Sequence, residues 1–172
     1  MTRIAHLRIA FAGILAVAAC SPGEILDVEN PDIIDPVDVT SPAGLAALHA
    51  GALGDFSLGF IGDNGGTEGQ LLVTGSFTDE LGNSETFPTR KEYDQRGPID
   101  LKNGTLLEVF RRLQRARRSA ERAAEVIKTV SATPATDSRI AEAFSLAGFI
   151  YVAMGENYCS GVPISTASED GT

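Results

Sequence analysis

The sequence predicts an all-α protein: antiparallel helix pairs behind an extended N-terminal tether. Three observations carry that expectation. Apolar residues recur at helical spacing through residues 106–127 and 140–154, where they form one face of each segment. Helix punctuation brackets these runs: Ser41-Pro42 before the first, Thr133-Pro134 between the last two, Gly161 and Pro163 after the last. Residues 21–40 instead hold Pro22, Pro31 and Pro36 among Asp and β-branched residues, which blocks regular helix.

The N-terminus reads as a lipoprotein signal. Arg3 and Arg8 form a basic start, and residues 9–19 form an apolar run. That run is shorter than the about 20 apolar residues a membrane-crossing helix needs. Val17-Ala18-Ala19 places small residues directly before Cys20, whose thiol is the expected lipid attachment point. A plain secretory signal is the alternative. The expected organisation is a signal peptide at 1–19, a lipidated extended tether at 20–40 and a helical domain at 41–172. A lipid at Cys20 holds a chain on a membrane without spanning it. Ser21 stands where an aspartate favours inner-membrane retention, so the expected address is the outer membrane, facing the exterior. Ile25, Leu26, Val28, Ile33 and Ile34 give the tether apolar side chains with which to pack along the body.

In the first expected helix, Ser41 caps free amides and Pro42 suits the first turn, with Leu45, Leu48, Ala52 and Phe56 apolar. It fades at residues 59–62, and a Gly-Asp-Asn-Gly-Gly loop follows. A second helix is expected over 67–81, with Leu71, Leu72, Gly75 and Phe77 partly buried. Residues 82–100 are polar and contain Pro88, Gly97 and Pro98, and are expected to be a long loop.

The third helix carries the clearest pattern. Thr105-Leu106-Leu107-Glu108 has the form of a capping box. Leu106, Phe110, Leu113, Ala116, Ala120, Ala123 and Ile127 mark its apolar face, and the central alanines admit a close neighbour. A fourth helix is expected over 136–157, with Ile140, Ala143, Phe144, Ala147, Ile150, Tyr151 and Met154 apolar. Two successive helix pairs with small residues at their contacts predict a helical-repeat arrangement of the tetratricopeptide type.

The formal charge of the chain is −9. Without Arg3 and Arg8, 12 basic side chains face 23 acidic ones. Such a balance argues against nucleic acid as a partner. Nucleophilic catalysis by Cys159 needs a base, and His49 is the one histidine after the signal. Nothing in the sequence brings the two together, so no catalytic residue is assigned. One Cys and one His cannot fill a zinc shell, and Asp63, Asn64 and Glu68 lack calcium-loop spacing, so neither metal nor cofactor is expected. Cys159 reads as a structural thiol or as half of a disulfide to a segment outside this chain. Arg111, Arg115, Arg118 and Arg122 share one helix face. Glu108, Glu121 and Glu125 are spaced to pair with them, so a solvated, salt-bridged face is the plain reading. Contact with lipopolysaccharide phosphates or with an acidic patch on a protein partner is the functional one.

Four stretches, in this order and spacing, give the chain a resemblance. They are Leu26-Asp27-Val28-Glu29-Asn30-Pro31 after the lipobox cysteine, with Ser41-Pro42-Ala43-Gly44-Leu45; residues 71–81, ending Thr78-Asp79-Glu80; the Arg- and Ala-rich helix at 106–127; and Arg139-Ile140-Ala141-Glu142-Ala143 through to Glu156-Asn157-Tyr158-Cys159-Ser160-Gly161-Val162-Pro163. Together they resemble the N-terminal part of RagB/SusD-family nutrient-uptake outer-membrane lipoproteins. The resemblance implies a SusD-like helical fold that caps a SusC-like TonB-dependent β-barrel transporter. It also implies nutrient uptake by carbohydrate binding, with a glycan or other nutrient delivered to the barrel and no bond chemistry. Family chains are much longer, so the resemblance implies a truncated portion, with later helices and most ligand-binding loops beyond it. Sugars stack on aromatic rings, yet the chain has no Trp and three Tyr. Tyr151 fits the helix core and Tyr158 a helix end. That leaves Tyr93, in the long loop, as the candidate ligand-binding platform. The alternative is a lipid-anchored helical-repeat scaffold that binds a protein partner and no nutrient.

Overall fold

The computed structural model describes residues 39–63, 68–158 and 161–164. The chain divides into two units, 1–34 and 35–172, and the described residues belong to the second. The signal peptide, Cys20, the tether through residue 38 and Cys159 lie outside the described residues.

The fold is all-α. Among the described residues five helices follow in order: α1 (Pro42–Phe60), α2 (Gln70–Phe77), α3 (Pro88–Asp94), α4 (Gly104–Val130) and α5 (Ser138–Asn157). No strand forms among the described residues; Gly62 and Glu68 make an isolated antiparallel bridge.

α1 begins as the sequence predicts. Ser41 Oγ accepts from the Gly44 amide at 3.0 Å, and Pro42 opens the helix, where its missing N–H costs nothing. α1 ends beside Gly62, whose φ of 91° is open to glycine and strained for other residues. α5 starts at the Asp137 cap and ends at Tyr158.

Three expectations are corrected. The second helix is shorter than the expected 67–81 and spans Gln70–Phe77. The expected loop at 82–100 contains α3. Its seven residues, PTRKEYD, carry one apolar side chain, so no periodic stripe exists to reveal them. Pro88 pre-sets the first turn and Tyr93 anchors the helix by burial between Val73 and Val109. The α4 cap is Asn103, not the Thr105–Glu108 box. Asn103 Oδ1 accepts from the Leu106 amide at 3.0 Å, while Thr105 Oγ bonds Thr89 and Glu108 pairs with Arg112. Asn103 Nδ2 also donates to the Thr89 carbonyl at 2.8 Å and to Glu92 Oε2 at 2.7 Å. One side chain thus caps α4 and ties it to α3, which a threonine hydroxyl is too short to do.

α4 is the spine of the body. Its C-terminal half packs Ala120, Ala123, Ala124 and Ile127 against Leu45 and Ala52 of α1 and Ala143 and Ala147 of α5. Further toward its start, Leu113 and Ala116 meet Ile150 and Met154, with Phe56 alongside. Its first turns meet α2 and α3 through Val109. The order of these contacts sets α4 antiparallel to both α1 and α5. The small side chains decide how closely they pack: Ala52, Ala116, Ala120, Ala123 and Ala124 are fully buried. At Gly59 a Cβ would stand 3.1 Å from the Arg112 carbonyl oxygen, so α1 and α4 touch backbone to side-chain position. Phe56 and Phe60 of α1 stack on each other, and Phe149 of α5 meets both edge to face, with centroids 5.0–5.8 Å apart. His49 of α1 bonds Glu142 of α5 at 2.7 Å.

The outward faces of α1 and α5 are unusual for a surface. On α1, Ala46, Ala50, Gly54 and Leu58 are exposed; on α5, Ala141, Gly148 and Val152 are. Both helices are apolar on nearly every side, a pattern that belongs to a helix covered all round.

Candidate functional site

The arginine stripe is carried by the face of α4 opposite its packed side. The buried α4 positions cluster around Leu113, Ala120 and Ala124, and at 100° per residue Arg111, Arg115, Arg118 and Arg122 project the other way. Arg111, Arg115 and Arg122 are exposed and Arg118 is half-buried. Arg115 Nε meets Asp55 Oδ1 of α1 at 3.0 Å, and Arg118 lies 3.6 Å from Glu121. Arg112, on the flank, pairs with Glu108 at 3.1 Å and with Asp63 at 3.7 Å. Asp63 is therefore an ion-pair partner in the loop after α1. Neither Arg111 nor Arg122 has an ion pair or hydrogen bond among the described residues. A cleft of about 250 Å³ opens beside the stripe between α1 and α4, lined by Asp55, Leu58, Glu108, Arg111, Arg112 and Arg115.

Tyr93 is not a stacking platform. It sits on α3, not in a loop, and is 1 % exposed, so neither ring face is open to a sugar. Its hydroxyl has no hydrogen-bond partner among the described residues. Burial, and after it the Glu68 carboxylate, pushes the phenol up to about 12. Next to it, Arg90 pairs with Glu68 and with Glu85 and stacks on the Phe87 ring, 4.5 Å from its centroid. A cavity of about 120 Å³ borders this cluster, lined in part by Asn83, Ser84, Arg90 and Tyr93.

Tyr151 departs from its expected place in the core. It is 40 % exposed, and its hydroxyl donates to Glu121 Oε1 at 2.6 Å. Glu121 also receives Arg117 Nη1 at 2.9 Å and 3.0 Å. Arg117, 2 % exposed, donates through Nε to Gln114 and lies over the Tyr151 ring, 5.6 Å from its centroid. Sequence reasoning missed this network. Its signal was an arginine among the apolar face positions, between Leu113 and Ala120, with a glutamate four residues on. Tyr158 stands at the α5 end, where it donates to Gln70 Oε1 at 2.9 Å and burial pushes its phenol up to about 12.

At the α5 start, Asp137 accepts from Arg139 Nε at 2.9 Å, Arg139 Nη2 at 2.6 Å and Ser131 Oγ at 2.8 Å. These hydrogen bonds, those of Arg139 first, hold its carboxyl well below the usual carboxylate range. Among the described residues no cluster of three metal-ligating side chains forms, and no helix is long and apolar enough to cross a membrane. Set against family models, curated proteins and solved structures, the chain matches none.

Proposed function

We propose that this chain is a portion of a lipid-anchored outer-membrane protein of the RagB/SusD kind, which binds a nutrient and passes it to a TonB-dependent barrel. The observation that carries this reading is the signal ending Val17-Ala18-Ala19-Cys20, followed by the family-like stretches in order. The helical body supports it, since tetratricopeptide-like packing is built from antiparallel pairs such as α4 and α5. The uncovered apolar faces of α1 and α5 support a body that docks on a larger neighbour. The reading assigns the chain no bond chemistry.

The second reading is a lipid-anchored helical scaffold that holds a protein partner and no nutrient. The burial of Tyr93 favours it, because this leaves no open aromatic platform there for a glycan. Affinity purification from native outer membranes separates the two. Co-purification with a TonB-dependent barrel and retention of a soluble glycan are expected under the first reading. Capture of a protein partner with neither barrel nor glycan supports the second. A Cys20→Ser variant is expected to lack the attached lipid, read as a loss of mass, under both.

A further inference from the structure

We propose that the outward face of α4 is a docking surface for the phosphate groups of an anionic lipid surface. Half of the chain's 14 Lys and Arg residues lie on this one helix: Arg111, Arg112, Arg115, Arg117, Arg118, Arg122 and Lys128. The same helix carries three acids, Glu108, Glu121 and Glu125, whereas the rest of the chain is strongly acidic. At an ionic strength near 0.1 M, charges more than about 10 Å apart are largely screened from one another, so the acids elsewhere in the chain bear little on the stripe and only those beside it count.

The acids near the stripe pair with its inner arginines and leave the two end ones, Arg111 and Arg122, without an ion pair among the described residues. Asp55 holds Arg115, Glu108 holds Arg112, and Glu121 is shared among Arg117, Arg118 and Tyr151. Glu125 is the acid left within reach of Arg122. Arg111 and Arg122 stand exposed at the two ends of the stripe, roughly 16 Å apart along the helix at about 1.5 Å per residue. The cleft beside Arg111, with Arg112 and Arg115 on its wall, gives a phosphate headgroup room to enter. Arg112 and Arg115 meet Glu108 and Asp55 on the cleft wall, so Arg111 is the guanidinium that turns its fork of parallel N–H donors toward a phosphate.

The chemistry favours a lipid surface over an acidic protein. A protein interface needs an apolar core that excludes water. Between Arg111 and Arg122 the outward positions are Gln114, Arg115, Arg118 and Ser119, with no apolar side chain among them. The stripe is a row of charges suited to a plane of charges. It stands apart from the nutrient reading and does not depend on it.

The test is vesicle binding by the full chain carrying Cys20→Ser, so that no lipid is added. Vesicles of phosphatidylcholine alone are compared with vesicles that include phosphatidylglycerol, in a background that also carries Arg3→Gln and Arg8→Gln, so that the N-terminal run no longer brings its basic start to the anionic vesicles. The expected preference for the anionic vesicles is at least about ten-fold, and it falls as salt is raised. R111E/R122E is expected to abolish that preference, and R111K/R122K to keep most of it. Equal helicity of the variants by circular dichroism excludes misfolding as the cause. No preference in the parent chain, or a preference that R111E/R122E leaves intact, overturns the proposal. Arginine-dependent capture of an acidic protein without vesicle preference overturns it in favour of a protein surface.

Discussion

Tyr93 and Arg117 are buried groups with opposite arrangements, and they respond to substitution in opposite ways. The Tyr93 hydroxyl lacks a partner among the described residues, so Tyr93→Phe removes a polar group that folding has stripped of water. The expected effect on chemical denaturation is neutral to stabilising by about 1 kcal/mol, whereas Tyr93→Ala empties the junction of α2, α3 and α4 and costs about 3–5 kcal/mol. Arg117 is held on several sides. Arg117→Ala takes a cation from a network in which Glu121 and Tyr151 remain. Its cost is expected at about 2–4 kcal/mol, and a double-mutant cycle with Glu121→Ala is expected to show coupling above about 1 kcal/mol. The sequence placed Tyr93 among candidate platforms because a tyrosine in a polar stretch resembles a surface group. Only contacts from Val73 and Val109, far along the chain, decide otherwise.

At the scale of elements, the caps govern where helices begin. Asn103→Ala removes the α4 cap and its two bonds to the α3 region, and is expected to cost about 2 kcal/mol in urea or thermal unfolding. Thr105→Ala, at the position the sequence suggested as cap, is expected to cost less. The Asp137 cap adds a pH dependence. Its carboxyl is held below 3.8, the ordinary aspartate value, so its contribution is present above that value and is lost as pH falls through the lowered one. Asp137→Asn is expected to flatten the acid side of a stability-against-pH curve. α4 was legible because its apolar stripe repeats many times, and α1 and α5, apolar on more than one side, because Ser41-Pro42, Thr133-Pro134 and Gly161 punctuate them. α3 was not, because one anchoring tyrosine makes no period. The arginine stripe was legible as a face, but its pairing was not: Asp55 and Asp63, which hold Arg115 and Arg112, lie far earlier in the chain.

The whole molecule hangs on α4, and its alkaline limit follows from two phenols. Tyr93 and Tyr158 ionise at about 12 in the fold, against an ordinary 10.0. The unfolded chain therefore loses these protons first, so their contribution is intact below pH 10 and is lost as pH rises toward 12. Denaturation followed across that range is expected to show a falling midpoint, and Y93F/Y158F to remove most of the fall. Position along the chain adds a matter of timing. α1 is synthesised first, yet the helix it lies against begins roughly 45 residues later and ends roughly 70 residues later. At about 5–20 residues per second, α1 waits roughly 2–14 s with every apolar side open, while α5 meets α4 almost as soon as it emerges. Of the described helices, α1 is thus the one that stands open longest, and the α4–α5 hairpin is the seat to which it is finally delivered.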